Sequence, residues 1–142
     1  MERFETSTKQ EIHKICKKYR IRNYTINSDG SIDVDGNVDL EYNELTKIPI
    51  KFNKVSSWFK VSYNKLTSLE NSPNEVGGHF YCSHNNLKNL IGLPSKIFGP
   101  VRCIKNPLES LEGFELDYYK LTCSNKESLI KKHKRSKKAI FE

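Results

Sequence analysis

Residues 76–96 read VGGHFYCSHNNLKNLIGLPSK, and their apolar and turn positions recur in register on both sides every 21 residues. Valine or isoleucine opens the unit at Val55, Val76 and Ile97. An apolar residue follows at Val38, Phe59, Phe80 and Val101, with a second two positions later at Leu40, Val61, Cys82 and Cys103. Asparagine comes next at Asn43, Asn64, Asn85 and Asn106, then leucine at Leu45, Leu66, Leu87 and Leu108. Ile48, Leu69, Leu90 and Leu111 lie three beyond, and Pro73 and Pro94 close two of the units. Four units without an insertion define a repeat protein.

A period near 20 built on apolar-x-apolar-x-x-Asn-x-Leu-x-x-Leu predicts a solenoid with one coil per unit. In the apolar-x-apolar segment the period is two. Phe80 and Cys82 therefore point to one face of a short strand, and His79, Tyr81 and Ser83 to the other. The inward positions are all apolar, whereas of the outward neighbours Asp39, Glu41, Lys60, Ser62, Tyr81, Ser83, Arg102 and Ile104 only the last is aliphatic. Identical register stacks one such parallel strand per coil, about 4.8 Å apart. A single coil buries too little to offset the ordering of its own backbone, so stability comes from neighbours and the end coils need covers. An asparagine amide both donates and accepts, which fits a ladder between adjacent coils at the bend; an ordinary turn asparagine is the alternative.

The flanks supply the covers. Ser7 three before Gln10 is a capping-box pattern, and Ile12, Ile15, Cys16 and Tyr19 follow at helical spacing. This predicts an amphipathic helix over residues 7–19 that lids the first coil. Tyr24, Ile26, Ile32 and Val34 alternate with polar residues around Asp29-Gly30, a hairpin pattern. After Gly113 the register slips, and Leu121-Thr122-Cys123 repeats the strand one residue early as an incomplete fifth coil. Ser124 three before Glu127 signals a C-terminal helix with Leu129 and Ile130 available for docking. The expected fold is thus an α+β solenoid forming one domain over 1–142: an N-terminal helix and hairpin cap in 1–36, four coils in 37–114, and an incomplete coil, capping helix and basic tail in 115–142.

Here the residues reach a family. NELTKIP, NKLTSLENSP and NNLKNLIGLP resemble the N-x-L-x-x-L half of leucine-rich repeats, nearest the short bacterial class. The fuller V-G-G-x-F-x-C-x-x-N-x-L pattern with a glycine-proline return resembles leucine-rich-repeat-like proteins of bacteriophages and other low-GC genomes. The resemblance covers about 36–113. The first unit departs by lacking the glycine pair, the fourth by Phe98-Gly99-Pro100 and by Pro107. What the resemblance implies is a protein-binding solenoid without assigned chemistry, in a phage setting an accessory protein aimed at a host protein.

Composition bounds the function. No N-terminal apolar run of signal length and no stretch approaching 18 apolar residues occurs, so the expected location is the cytoplasm. Cys82, Cys103 and Cys123 fall on or near one inward position, Cys16 on the helix, and no C-x-x-C pair is present; buried reduced thiols are expected, without zinc. Asp29, Asp33, Asp35 and Asp39 lack EF-hand spacing and read as solvated turns. His13, His79, His84 and His133 lie on separate elements, and no G-x-S-x-G or P-loop occurs, so neither enzymatic activity nor a cofactor is expected.

Two binding readings remain. The outward rows carry Trp58, Lys60, His79, Tyr81, Arg102 and Ile104, among them typical hot-spot types on a strip about 15 Å across, and point to a protein partner. The alternative partner is nucleic acid. Residues 126–142 hold seven basic against two acidic side chains, five of the formal net charge of +7, with Lys131, Lys132, Lys134, Arg135, Lys137 and Lys138 as candidate phosphate contacts. The acidic Asp39 and Glu41 at one end of the strand face break any continuous phosphate track across it.

Overall fold

The computed structural model describes residues 2–141, with the side chains of 8–139. The chain is a β-solenoid whose strands repeat at 21-residue spacing between two helices. In order the elements are α1 (Glu2–Lys18), β1 (Tyr24–Ile26), β2 (Ile32–Val34), β3 (Val38–Asp39), β4 (Phe52–Val55), β5 (Phe59–Lys60), β6 (Glu75–Val76), β7 (Phe80–Tyr81), β8 (Lys96–Ile97), β9 (Val101–Arg102), a 3-10 turn (Tyr118–Lys120), β10 (Leu121–Thr122) and α2 (Lys126–Phe141).

The coils carry two strands where the periodicity showed one. β1-β2-β4-β6-β8 form a first sheet and β10-β9-β7-β5-β3 a second, parallel throughout except for the antiparallel β1–β2 hairpin. The second sheet is the expected one, with Phe59 opposite Phe80 and Phe80 opposite Val101. The first sheet uses Val55, Val76 and Ile97, whose column was visible but too short to show alternation. A corner joins the sheets at Ser56-Ser57, Gly77-Gly78 and Phe98-Gly99. Its approach is so close that a Cβ on Gly77 would lie 2.0 Å from the Ser56 carbonyl oxygen, which explains a glycine there.

The interior is a column of stacked side chains. Phe59 and Phe80 stack at 5.4 Å and Phe52 meets Phe59 edge-on at 5.1 Å, all three buried with Leu66, Leu87 and Leu90. The asparagine ladder is present. Asn64 Oδ1 accepts the N–H groups of Asn43 and Leu45, both at 3.0 Å, while its amide donates to the Leu40 and Val61 carbonyls at 2.9 and 3.0 Å. Asn85 and Asn106 repeat the pattern one and two coils on, accepting from Leu66 and Leu87. Cys82 and Cys103 are buried free thiols, and Cys123 is half-buried beside them.

Three boundaries differ from expectation. Helix α1 starts at Glu2, so Ser7 lies inside it and not at its start; Ile12 and Cys16 still point into the core. Ser124 Oγ accepts the Lys105 N–H at 3.4 Å from the preceding coil, and α2 begins at Lys126. The helix runs through the basic residues as expected, to Phe141, but its docking extends beyond Leu129 and Ile130, because His133 is buried with Nε2 2.9 Å from the Phe114 carbonyl oxygen. The hairpin is as read, Tyr24 opposite Val34, with the Asp29 carboxylate accepting the Ser31 hydroxyl and N–H across the turn. Those bonds, with Lys51, hold Asp29 down to about 2.

Candidate functional site

Strand register places Lys60, Tyr81 and Arg102 in one column on the outer face of the second sheet. Trp58 and His79 precede β5 and β7 by one residue each, in the neighbouring column. Their side chains form one array. Trp58 and His79 lie parallel within 3° at 5.8 Å, and His79 stacks on Tyr81 at 4.1 Å. Lys60 Nζ sits 4.4 Å from the Trp58 ring centroid and 5.9 Å from that of Tyr81, and the Arg102 guanidinium lies 5.2 Å from the Tyr81 ring. Cation–π contact at exposed sites is worth about 0.5–1 kcal/mol, so the array holds its own geometry without core packing.

The electrostatics follow from the packing. Burial lowers the His79 pKa, and the positive charges of Lys60 and Arg102 push it further in the same direction, so the imidazole is neutral near pH 7. Its Nε2 is enclosed without a hydrogen-bond partner. At the acidic end, burial and the neighbouring Asp39 raise the Glu41 pKa, partly offset by Lys60 and Ser62.

The row containing Ser62 and Ser83 does not face outward. Both are buried, because the chain turns in at the bend and their hydroxyls accept N–H groups of the next coil, Ser83 to Ser62 at 3.0 Å and Ile104 to Ser83 at 3.1 Å. Ile104, at the end of this row, is half-buried.

A second array was missed. Tyr42, Tyr63 and His84 stack at 4.7 and 4.4 Å with planes within 12°, and Lys105 occupies the next repeat position. Tyr42 is 72% exposed and Tyr63 43%. All four residues share the left-handed conformation, φ between 54° and 59°, a region non-glycine residues seldom adopt. The signal was in the sequence as Y-N, Y-N, H-N, K-N at period 21, but the residue beside each asparagine reads as loop. Equivalent positions in stacked coils are about 4.8 Å apart, close to ring-stacking distance, so rings at one repeat position stack of necessity.

The six candidate phosphate contacts of α2 divide into two sets. Lys132 Nζ donates to the Glu109 carbonyl at 2.7 Å and Lys137 to the Glu115 carboxylate at 2.6 Å, both tying the helix to the last coil. Between them lies a cleft of about 540 Å³ lined by Glu112, Glu115, Lys132, His133 and Lys137. Lys131, Lys134, Arg135 and Lys138 are exposed at i, i+3, i+4 and i+7, one face of the helix; Lys134 Nζ lies 5.5 Å from the Tyr118 ring.

Among the described residues no group of three or more His, Cys, Asp or Glu side chains is placed to hold a metal ion, and no helix is long and apolar enough to cross a membrane. The architecture defines a β-solenoid bearing an aromatic-cationic face. No protein-family model matches the chain, and no curated protein or solved structure is significantly similar to it.

Proposed function

We propose that the protein is a non-catalytic protein-interaction module that docks its partner through the outer face of the second sheet. The carrying observation is the array of Trp58, Lys60, His79, Tyr81 and Arg102, which nothing in the core requires and in which Trp58, Tyr81 and Arg102 are of the types enriched at binding hot spots. Its geometry favours protein over nucleic acid. The rings stack on one another and lie against the two cations, so the array offers bases less free ring face than an open stacking platform and presents charged groups beside its rings. In this reading the repeat pattern is a divergent leucine-rich repeat. The resemblance to phage repeats then makes the protein a cytoplasmic accessory factor that occupies a host protein's surface.

Affinity capture from host extract, with and without nuclease, tests the reading. Tyr81→Ala/Arg102→Ala should lose a nuclease-insensitive partner that the wild type captures; a variant that keeps every partner moves the docking surface elsewhere. The second reading, nucleic-acid binding by α2, is favoured only by the exposed stripe of Lys131, Lys134, Arg135 and Lys138. Four neutralised phosphates predict affinity falling roughly a hundredfold between about 50 and 200 mM salt. Undetectable binding to DNA and RNA at the lower salt ends that reading.

A further inference from the structure

We infer that the outer face of the second sheet is complementary to itself and pairs with a second copy of this chain, the two solenoids running in opposite directions. The inference rests on the docking role of that face and adds a second copy of the chain as a further occupant, in competition with the host partner. Charge order carries it. On the first coil the outward residues include exposed Asp39 and Glu44 and half-buried Glu41; on the fourth they include exposed Arg102 and Lys105. Strand register therefore writes one column as Asp39, Lys60, Tyr81, Arg102 and, on the incomplete fifth coil, the uncharged Thr122, so that its charges run from negative on the first coil to positive on the fourth.

A two-fold axis parallel to the strands, passing between the second and third coils, reverses the coil order and leaves each column opposite itself. Asp39 then meets Arg102 of the second copy, and Lys60 meets Tyr81. In the flanking columns Trp58 meets His79, Tyr63 meets His84, and the exposed Tyr42 meets Lys105. Every contact occurs twice by symmetry.

Neighbouring arrangements fail on charge. Centring the axis on Tyr81 sets Lys60 against Arg102, and centring it on Lys60 sets that lysine against itself. An axis along the solenoid sets the first coil's carboxylates against one another and does the same to Arg102 and Lys105. Like charges in an interface are strongly disfavoured, so the reversed, centred register is selected. Four rungs of about 4.8 Å make a face at the small end of specific interfaces. The dimer is therefore a concentration-dependent one that frees its face on dilution.

Sedimentation equilibrium from micromolar to submillimolar protein at low salt tests this. The wild type should move from the 16.5 kDa monomer toward twice that mass. Asp39→Arg and Arg102→Asp should each weaken dimerisation about tenfold or more, since each reversal creates two like-charge contacts. The combined Asp39→Arg/Arg102→Asp variant should recover to within a few-fold of wild type. Asp39 Oδ1 also accepts the Glu41 N–H at 3.0 Å, so Asp39→Asn, which keeps an acceptor, is the milder variant and should weaken dimerisation several-fold if the reversal impairs folding. A wild type monomeric throughout, single variants that dimerise normally, or a charge-swapped pair that does not recover overturns the inference. A monomeric wild type whose partner capture is nonetheless lost in Tyr81→Ala/Arg102→Ala overturns the dimer and leaves the docking reading standing.

Discussion

Two ladders run side by side along this solenoid, one residue apart in sequence. The inner one is Asn43, Asn64, Asn85 and Asn106; the outer one is Tyr42, Tyr63, His84 and Lys105. Both repeat at the same spacing and both sit at the same bend. The inner ladder is uniform because the amides of Asn64, Asn85 and Asn106 each serve backbone groups of their own coil and of the preceding one, a task that fixes the side chain, while Asn43 at the end serves its own coil alone. The outer ladder varies because its backbone conformation is set by the bend and its side chains answer only to one another and to solvent. The same repeat therefore separates positions that hold the fold from positions open to binding.

The sharpest break between the ladders should come from the interior. Phe80→Ala removes a fully buried ring stacked on Phe59 in a middle coil and should cost about 3–5 kcal/mol. Asn85→Ala leaves the Leu66 N–H without its partner and removes one of the two amide donors that the Val61 and Cys82 carbonyls each have, and should cost about 1–3 kcal/mol. Asn43→Ala, at the exposed end of the same ladder, should cost well under half as much. Thermal and denaturant melts measure all three, and equal losses at Asn43 and Asn85 would remove the inter-coil role of the amide.

The C-terminal cap tests whether the end of the stack is held as its middle is. Truncation after Ser128 removes Leu129 and should expose the last coil to aggregation. Truncation after Lys132 also removes His133 and its bond to the Phe114 carbonyl, and should cost about 1–3 kcal/mol although it deletes mostly charge. Light scattering and melts follow both, and a wild-type melt for the truncation after Lys132 would show that α2 docks only by its first two turns.

At the outer ladder the ordering should invert. Tyr63→Ala loses stacking on Tyr42 and His84, about 1 kcal/mol, and keeps the strain of a non-glycine residue at φ 58°. Tyr63→Gly relieves that strain and should be about 1 kcal/mol more stable than Tyr63→Ala. Glycine at Asn85 should gain nothing over alanine, because that position carries no left-handed strain and both lose the amide.

The parts of this architecture that were legible are those with strict period and polarity. Phe59, Phe80, Leu66 and Leu87 announce inward positions because the core admits only apolar residues, and the asparagines announce the ladder because only an amide fits. The first sheet was hidden because β6 and β8 each contribute a single inward residue, Val76 and Ile97, before the corner, and one apolar position per coil shows no alternation, whereas the second sheet's apolar-x-apolar pattern runs on past its strands to Val61, Cys82 and Cys103. Ser62 and Ser83 were assigned outward by strict alternation, which fails where a two-residue strand turns into a bend. On the face, register put Lys60, Tyr81 and Arg102 together correctly. Their mutual cation–π packing depends on rotamers, which periodicity does not encode. His133 was masked by its lysine neighbours, since one buried imidazole in a basic run leaves no pattern.

The smallest effect belongs to His79, and its sign is fixed by its surroundings. Burial first, then Lys60 and Arg102, lowers its pKa below the ordinary 6.5. Between the folded and ordinary values the unfolded chain binds more protons, so stability rises with pH across that window. The contribution is complete above about 6.5 and is lost as pH falls through the lowered folded value. His79→Phe keeps an aromatic ring between Trp58 and Tyr81 and removes the titration. Its melting temperature should therefore decline less steeply than the wild type's from pH 7 toward 5, while carboxylate contributions common to both proteins cancel in the difference. Arg102→Gln withdraws one of the two charges and should give an intermediate slope. Parallel wild-type and His79→Phe curves would mean that the imidazole titrates as in the unfolded chain, and that the aromatic-cationic array is looser than its stacking distances require.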